Sequence, residues 1–327
     1  MKILILRFSS LGDILLATPV LTVLKERWPD CTIEWVVKEK FLPALSTSLI
    51  DKIHTFKDNQ SFNKLLIELK KNDFDLVFDL HRNWKSWLIR RNFRNVFCYE
   101  KREIRRLLLV WLKKRYPVLP VPAMYFQALR KADIAVPDKW ELLFDIQPGL
   151  FEPLRQKFPV LEQKYLAFAP GASYFTKRWP EEYFSVLAQK LSLEYKVVLL
   201  GQGAIEEQIC RRIAAGDDRI VSLAGKLSFV ESAAVLKNCK LLVSNDSGLL
   251  HLGECCKIPV VGIFGSTTEE LGFFPYATNY RIVENRALKC RPCSHFGRKK
   301  CPRGDLACLK TIQPEQVLQT IKEMIEI

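Results

Sequence analysis

The run Lys2-Ile3-Leu4-Ile5-Leu6, continued by Arg7-Phe8-Ser9-Ser10-Leu11-Gly12-Asp13-Ile14-Leu15-Leu16-Ala17-Thr18-Pro19, decides the fold. Its first five residues are too short an apolar run for a helix and read as a parallel strand buried on both faces. Apolar periodicity resumes from Ile14 to Trp28, so the chain opens as strand, turn and helix, with Gly12 marking the turn. Small residues at the carboxyl end of such a strand, here Ser9, Ser10 and Gly12, leave backbone N–H groups facing the crevice where open α/β sheets bind ligands. Asp13 adds a carboxylate at that place. It serves either as a functional group or as a first-turn acid favoured by the helix dipole, and the stretch alone leaves both roles open.

Outward from this stretch the alternation continues. Thr32 to Val37 reads as a strand, Phe62 to Lys71 as a helix, and Asp75-Leu76-Val77-Phe78-Asp79-Leu80 as another buried strand. Prolines 117, 120, 122, 137, 148, 153 and 159 then forbid one long regular element, and the domain boundary is expected near residue 158. A second series follows: a strand at Tyr165 to Pro170, a helix after Pro180, a strand at Lys196 to Leu200 and a helix at Ile205 to Ala214. A helix at Phe229 to Leu236 and strands at Leu241 to Val243 and Ile258 to Phe264 complete it. The expected fold is α/β, with two Rossmann-like domains, 1–158 and 159–327, facing each other across a cleft. A last helix could pack back on the N-terminal domain.

A chain of 327 residues with 48% hydrophobic content has ample core for two domains. No apolar run reaches the roughly 18 residues of a spanning helix, and the chain starts directly on a strand without a leader pattern, so a cytoplasmic location is expected. Ten cysteines in so large a chain suggest reduced thiols or metal ligands rather than a disulfide framework. The net charge of +14 is concentrated: between Arg82 and Arg115 twelve Lys or Arg stand against Glu100 and Glu103, a net of +10. Trp84, Trp87, Trp111 and the run Leu107-Leu108-Leu109-Val110 are interleaved with those cations, a mixture suited to anionic headgroups or nucleic acid. A merely solvated basic face is the plainer alternative.

Three motifs lie in the second half. Gly201-Gln202-Gly203 follows a strand, but the third fingerprint position is Glu206, which argues against a hydride-transfer Rossmann enzyme. Asp246-Ser247-Gly248-Leu249-Leu250-His251 ends one strand and opens a helix; its small residues could present free N–H groups to a pyrophosphate, while Asp246 or Ser247 could equally cap that helix. His251 either faces the ligand or sits satisfied in the core. Ser173-Tyr174-Phe175-Thr176-Lys177-Arg178-Trp179-Pro180 places adjacent cations in a loop after a strand, where they could face a phosphate leaving group or merely solvent.

Taken in order, the opening Arg7 to Asp13 with Thr18-Pro19, then Pro170-Gly171-Ala172-Ser173, Lys177-Arg178-Trp179-Pro180 and Asn245 to His251 resemble glycosyltransferase family 9, the ADP-heptose:lipopolysaccharide heptosyltransferases of GT-B fold. The resemblance implies inverting transfer of a heptose from ADP-heptose to the lipopolysaccharide inner core, without a catalytic divalent ion. It implies Asp13 as general base and Lys177 as the contact to the donor phosphates. Ser9, Ser10, Gly12, Ser173, Glu207, Asp246, Ser247, Gly248, Leu249 and His251 would border the nucleotide sugar. The basic segment 82–115 would then meet the anionic acceptor and the inner face of the cytoplasmic membrane. A related transferase using another nucleotide sugar or a protein acceptor is one alternative. A non-catalytic nucleic-acid-binding module is the other, although no nucleic-acid motif is present.

Cys290, Cys293, Cys301 and Cys308 follow as two pairs with Pro292, Gly297, Pro302 and Gly304 between them. Four thiolates could close on one structural zinc or iron ion, remote from the chemistry; four separate reduced cysteines are the alternative.

Overall fold

Ile3, Leu4, Ile5 and Leu6 are fully buried, and the strand they build, β1 (Lys2–Leu6), is the centre of a parallel five-stranded sheet. Around it lie β2 (Thr32–Lys38), β3 (Lys52–Phe56), β4 (Leu76–Asp79) and β5 (Val96–Cys98), in the order β3-β2-β1-β4-β5. Ile3 stands opposite Ile33 on one side and Leu76 on the other. The computed structural model describes residues 1–325. It divides into two units, one of Met1–Arg102 and Leu119–Asp145, the other of Glu103–Val118 and the chain from Ile146 on.

The helical periodicity from Ile14 to Trp28 is carried by two helices, Leu11–Leu15 and Pro19–Arg27. Pro19 has no N–H to continue the first, so the chain breaks at Leu16 to Thr18 and restarts with proline in the first turn. Gly12 consequently lies inside the first helix; the turn is made by the residues before it, with Ser10 as the N-cap.

The second unit carries β6 (Tyr165–Ala169), β7 (Lys196–Leu199), β8 (Ile220–Ser222), β9 (Leu242–Asn245), β10 (Val260–Phe264) and β11 (Tyr280–Glu284). All pair in parallel, in the order β11-β10-β9-β6-β7-β8. One face is sealed by the helices Glu181–Leu191 and Ala204–Ala214, whose Phe184, Leu187, Ile209 and Ile213 join Phe168 and Val243 in one core. The last helix, Pro314–Ile325, belongs to this second unit and buries Val317 and Ile321 in the same core.

Each sheet is doubly wound, and strand order reverses at one place in each: between β1 and β4 in the first unit, between β6 and β9 in the second. Loops leaving the carboxyl ends of two such strands diverge to opposite faces and leave a crevice. Asp13 follows β1 and His81 follows β4; Lys177 follows β6 and Asp246 follows β9. Among the described residues no helix is long and apolar enough to cross a membrane.

Candidate active site

In the first unit the crevice holds a carboxylate gripped from two sides. Asp13 Oδ1 lies 2.8 Å from Nη2 of Arg7, while Oδ2 accepts hydrogen bonds from the Ser10 backbone N–H at 3.1 Å and the Ser10 hydroxyl at 2.5 Å. Asp13 therefore caps its own helix and also remains a fixed, reachable carboxylate, its side chain 20% exposed. Arg7 is held in turn: its Nη1 donates to the Leu80 carbonyl at 2.6 Å and its guanidinium lies 5.4 Å from the centre of the Tyr125 ring. Burial opposes the charge on Arg7, but Asp13, aided by Tyr125 and Tyr99, outweighs it and keeps the guanidinium above its ordinary value.

His81 completes this crevice. Its ring lies 4.5 Å from that of Phe8, and its buried Nδ1 has no hydrogen-bond partner. Burial, reinforced by the positive charge of Arg7, pushes its pKa down to about 3, so the imidazole is neutral at physiological pH. Its backbone is pinned by the wholly buried Asp79, whose Oδ1 accepts from the N–H groups of His81 at 3.0 Å and Arg82 at 2.7 Å.

Lys177, in the second unit, reaches Asp246 at 2.7 Å, and the two side chains are only 15% and 6% exposed. Thr267, after β10, donates its hydroxyl to the same Asp246 oxygen at 2.6 Å. Asn245 ties the two loops together by accepting from the Trp179 N–H at 3.1 Å and donating to the Pro170 carbonyl at 2.8 Å. Asp246 thus gives its carboxylate to Lys177 and Thr267, and Ser247, the N-cap of helix Gly248–Cys255, makes no side-chain capping bond. Gly248 and Leu249 form that helix's first turn. The arrangement joins a cation to a helix N-terminus, a combination that suits a pyrophosphate.

Of the remaining expected donor residues, Ser9, Ser10 and Gly12 lie in the first unit and Ser173, Glu207 and His251 in the second. Ser173 is exposed. Glu207 packs beneath Gly225, where an added Cβ would meet its carboxyl carbon at 2.5 Å. His251 is buried and its Nδ1 lies 3.0 Å from Glu254, the arrangement of a satisfied core histidine. Glu206 explains the departure from the dinucleotide fingerprint: its carboxylate folds back to accept from the Gln202 N–H at 2.9 Å and fills the space beside Gly171 and Gly201. Burial raises its pKa.

One expectation needs correction, that the tail cysteines lie remote from the proposed chemistry. Among the described residues no group of three or more His, Cys, Asp or Glu is placed to hold a metal ion, while Cys290, Cys293 and Cys301 all act electrostatically on the Cys308 thiol. Cys308 packs with Leu309 and Ile312 in the core, and burial pushes its thiol up to about 12. Their loop is not remote from the Lys177 loop, because the Thr176 N–H donates to the Arg298 carbonyl at 3.1 Å and the Arg298 N–H to the Thr176 hydroxyl at 2.8 Å. The basic segment is also less uniform than its composition. Arg82 donates to the Tyr99 carbonyl and Arg90 pairs with buried Asp79, whereas Arg91, Arg94, Arg105 and Lys114 are exposed.

Residues 62–302 match the family model for glycosyltransferase family 9 (heptosyltransferase). The chain is 27% identical to lipopolysaccharide heptosyltransferase 1 of Campylobacter coli over 99% of both chains. Among solved structures, a family 9 glycosyltransferase from Veillonella parvula superposes with a TM-score of 0.80 at 20% identity, covering 99% of this chain and 97% of that one. The E. coli ADP-heptose lipopolysaccharide heptosyltransferase II superposes with a TM-score of 0.78 at 22% identity, covering 100% and 99%.

Proposed function

Since the chain belongs to glycosyltransferase family 9, we propose that it transfers a heptose from ADP-heptose to the inner core of a lipopolysaccharide, with inversion at the anomeric carbon. The observation that carries the donor assignment is the Lys177–Asp246–Thr267 cluster beside the uncapped N-terminus of helix Gly248–Cys255. As the glycosidic bond to the pyrophosphate breaks, negative charge grows on the departing ADP; Lys177 and the helix N–H groups stabilise it. Asp13 takes the proton of the acceptor hydroxyl that attacks from the opposite face of the sugar. Arg7 and Ser10 hold that carboxylate in one orientation.

The acceptor is anionic and membrane-borne, and the helix Glu103–Trp111 suits such a surface. Ile104, Leu107 and Trp111, spaced by three and four residues, are 74%, 48% and 75% exposed, with Arg105 and Lys114 exposed near them. An amphipathic basic helix of this kind lies in the headgroup region of an anionic leaflet, here the inner face of the cytoplasmic membrane. The test is binding of ADP-, UDP- and GDP-sugars by calorimetry, followed by transfer to truncated lipopolysaccharides. Turnover of ADP-heptose alone supports the reading; turnover of only a UDP- or GDP-sugar overturns the donor assignment.

A further inference from the structure

A recess of mixed polar and apolar lining lies in the second unit, after the carboxyl ends of β10 and β11 and away from Lys177 in sequence. It has a volume of about 310 Å³ and is bordered by Lys113 and Arg115, from the segment after helix Glu103–Trp111, and by Thr268, Glu270, Arg286 and Lys289. Arg291 borders it too and makes structural bonds to carbonyls 264, 265, 267 and 285 and to Glu284.

The charges do not cancel. Arg115 approaches Glu270 at 3.5 Å, and Arg286 pairs with Glu284 at 2.7 Å and approaches Glu269 at 3.9 Å. Lys113 donates to the carbonyls of Val110, Cys290 and Pro292, which use its hydrogens without neutralising its charge. Lys289 is exposed and has no partner among the described residues. Five cations against three acids leave an excess of two positive charges around the recess. Independently of charge, Thr268 is 92% buried (8% exposed) and its Oγ1 has no hydrogen-bond partner. A buried hydroxyl left without a partner is costly, and a ligand in the recess can supply the missing bond.

We propose that this recess binds a phosphate monoester carried by a saccharide. A phosphate monoester brings two negative charges and several acceptor oxygens, matching the excess charge, the Lys289 and Arg286 donors and the Thr268 hydroxyl; a carboxylate would balance only half of that charge. The volume is at the lower end of small-ligand sites and leaves room for a sugar ring beside the phosphoryl group. The inference rests on the proposed function only in taking the saccharide to belong to the acceptor rather than the donor.

The experiment measures binding without turnover, so failure of transfer and failure of this site are separable. Glucose 6-phosphate, glucose, inorganic phosphate and ADP are titrated by calorimetry and phosphorus NMR into the wild-type chain, Arg286→Gln/Lys289→Gln and Thr268→Val. The two Gln substitutions fall on exposed side chains and Val preserves the shape of Thr. Expected are saturable binding of glucose 6-phosphate, none of glucose, a loss of at least tenfold in the double variant and several-fold in Thr268→Val, with ADP affinity unchanged throughout. Equal glucose 6-phosphate affinity in all three proteins would overturn the proposal. Competition between ADP and glucose 6-phosphate would place the sugar phosphate in the donor site instead, and inorganic phosphate binding as well as the sugar phosphate would overturn the saccharide assignment.

Discussion

At the scale of single residues, each crevice pairs a reactive group with a partner that fixes it. Asp13 is fixed by Arg7 and Ser10, so Asp13→Asn removes the base while an amide can still occupy the space. The expected result is a retained fold and ADP affinity with transfer reduced about 100-fold or more; steady-state turnover checks it, and near-normal rates would remove the role. Lys177 and Asp246 form a coupled pair at 2.7 Å. Lys177→Ala should weaken ADP-sugar binding about tenfold or more, the scale of a lost charge-assisted bond, and Asp246→Ala should also weaken it by releasing the lysine. Since Asp246 acts through Lys177, the double variant should bind little worse than Lys177→Ala alone, which a calorimetric double-mutant cycle reads directly. The positions of Asp13 and Lys177 after apolar strands were legible, while the roles proposed for them came from the family resemblance. Arg7, Thr267 and His81 as neighbours were not, because their roles arise where separate strands end side by side.

The elements show the same division between what a linear pattern reveals and what it hides. β1, β4, β6, β9 and β10 stood out as continuous apolar runs because central parallel strands are buried on both faces. β3, β5, β8 and β11 did not: they lie toward or at sheet edges, some have only three residues, and Lys52, His54, Arg281 and Glu284 interrupt their apolar pattern. Charge density located the segment 82–115, yet only the contacts separate Arg82 and Arg90, which brace the first unit, from the exposed cations. Those exposed cations carry an element-scale prediction. Changing Arg91, Arg94, Arg105 and Lys114 to Gln should greatly weaken co-sedimentation with anionic vesicles at low salt and much less at high salt, since each contributes about 1 kcal/mol near such a surface. Leu107→Ser/Trp111→Ser should weaken vesicle binding at both salt concentrations, because apolar insertion is not screened. Equal binding of the unmodified chain to neutral and anionic vesicles would sink the electrostatic part.

For the molecule as a whole, each unit carries a buried core of its own, and each candidate site is set at the point where its sheet reverses strand order. Keeping a reactive crevice there has a stability consequence in the first unit, where His81 is buried beside Arg7. In the unfolded chain this histidine has an ordinary pKa near 6.5, whereas in the folded unit it is pushed down to about 3. Between those values the unfolded chain takes up a proton that the folded one refuses. The contribution is therefore fully present above about pH 6.5 and is lost as pH falls toward 3. Glu206 works in the opposite sense in the second unit, since burial raises its pKa and favours its protonated form at low pH. The acid loss should therefore appear in the unfolding transition of the first unit. Urea unfolding at pH 7.5 and pH 5.0 is expected to show the wild-type first unit losing about 1–2 kcal/mol more than His81→Gln, which removes the titrating ring but keeps a polar group of similar size. Identical losses in the two proteins would show that another group sets the acid sensitivity and that His81 is freely protonated in the folded crevice.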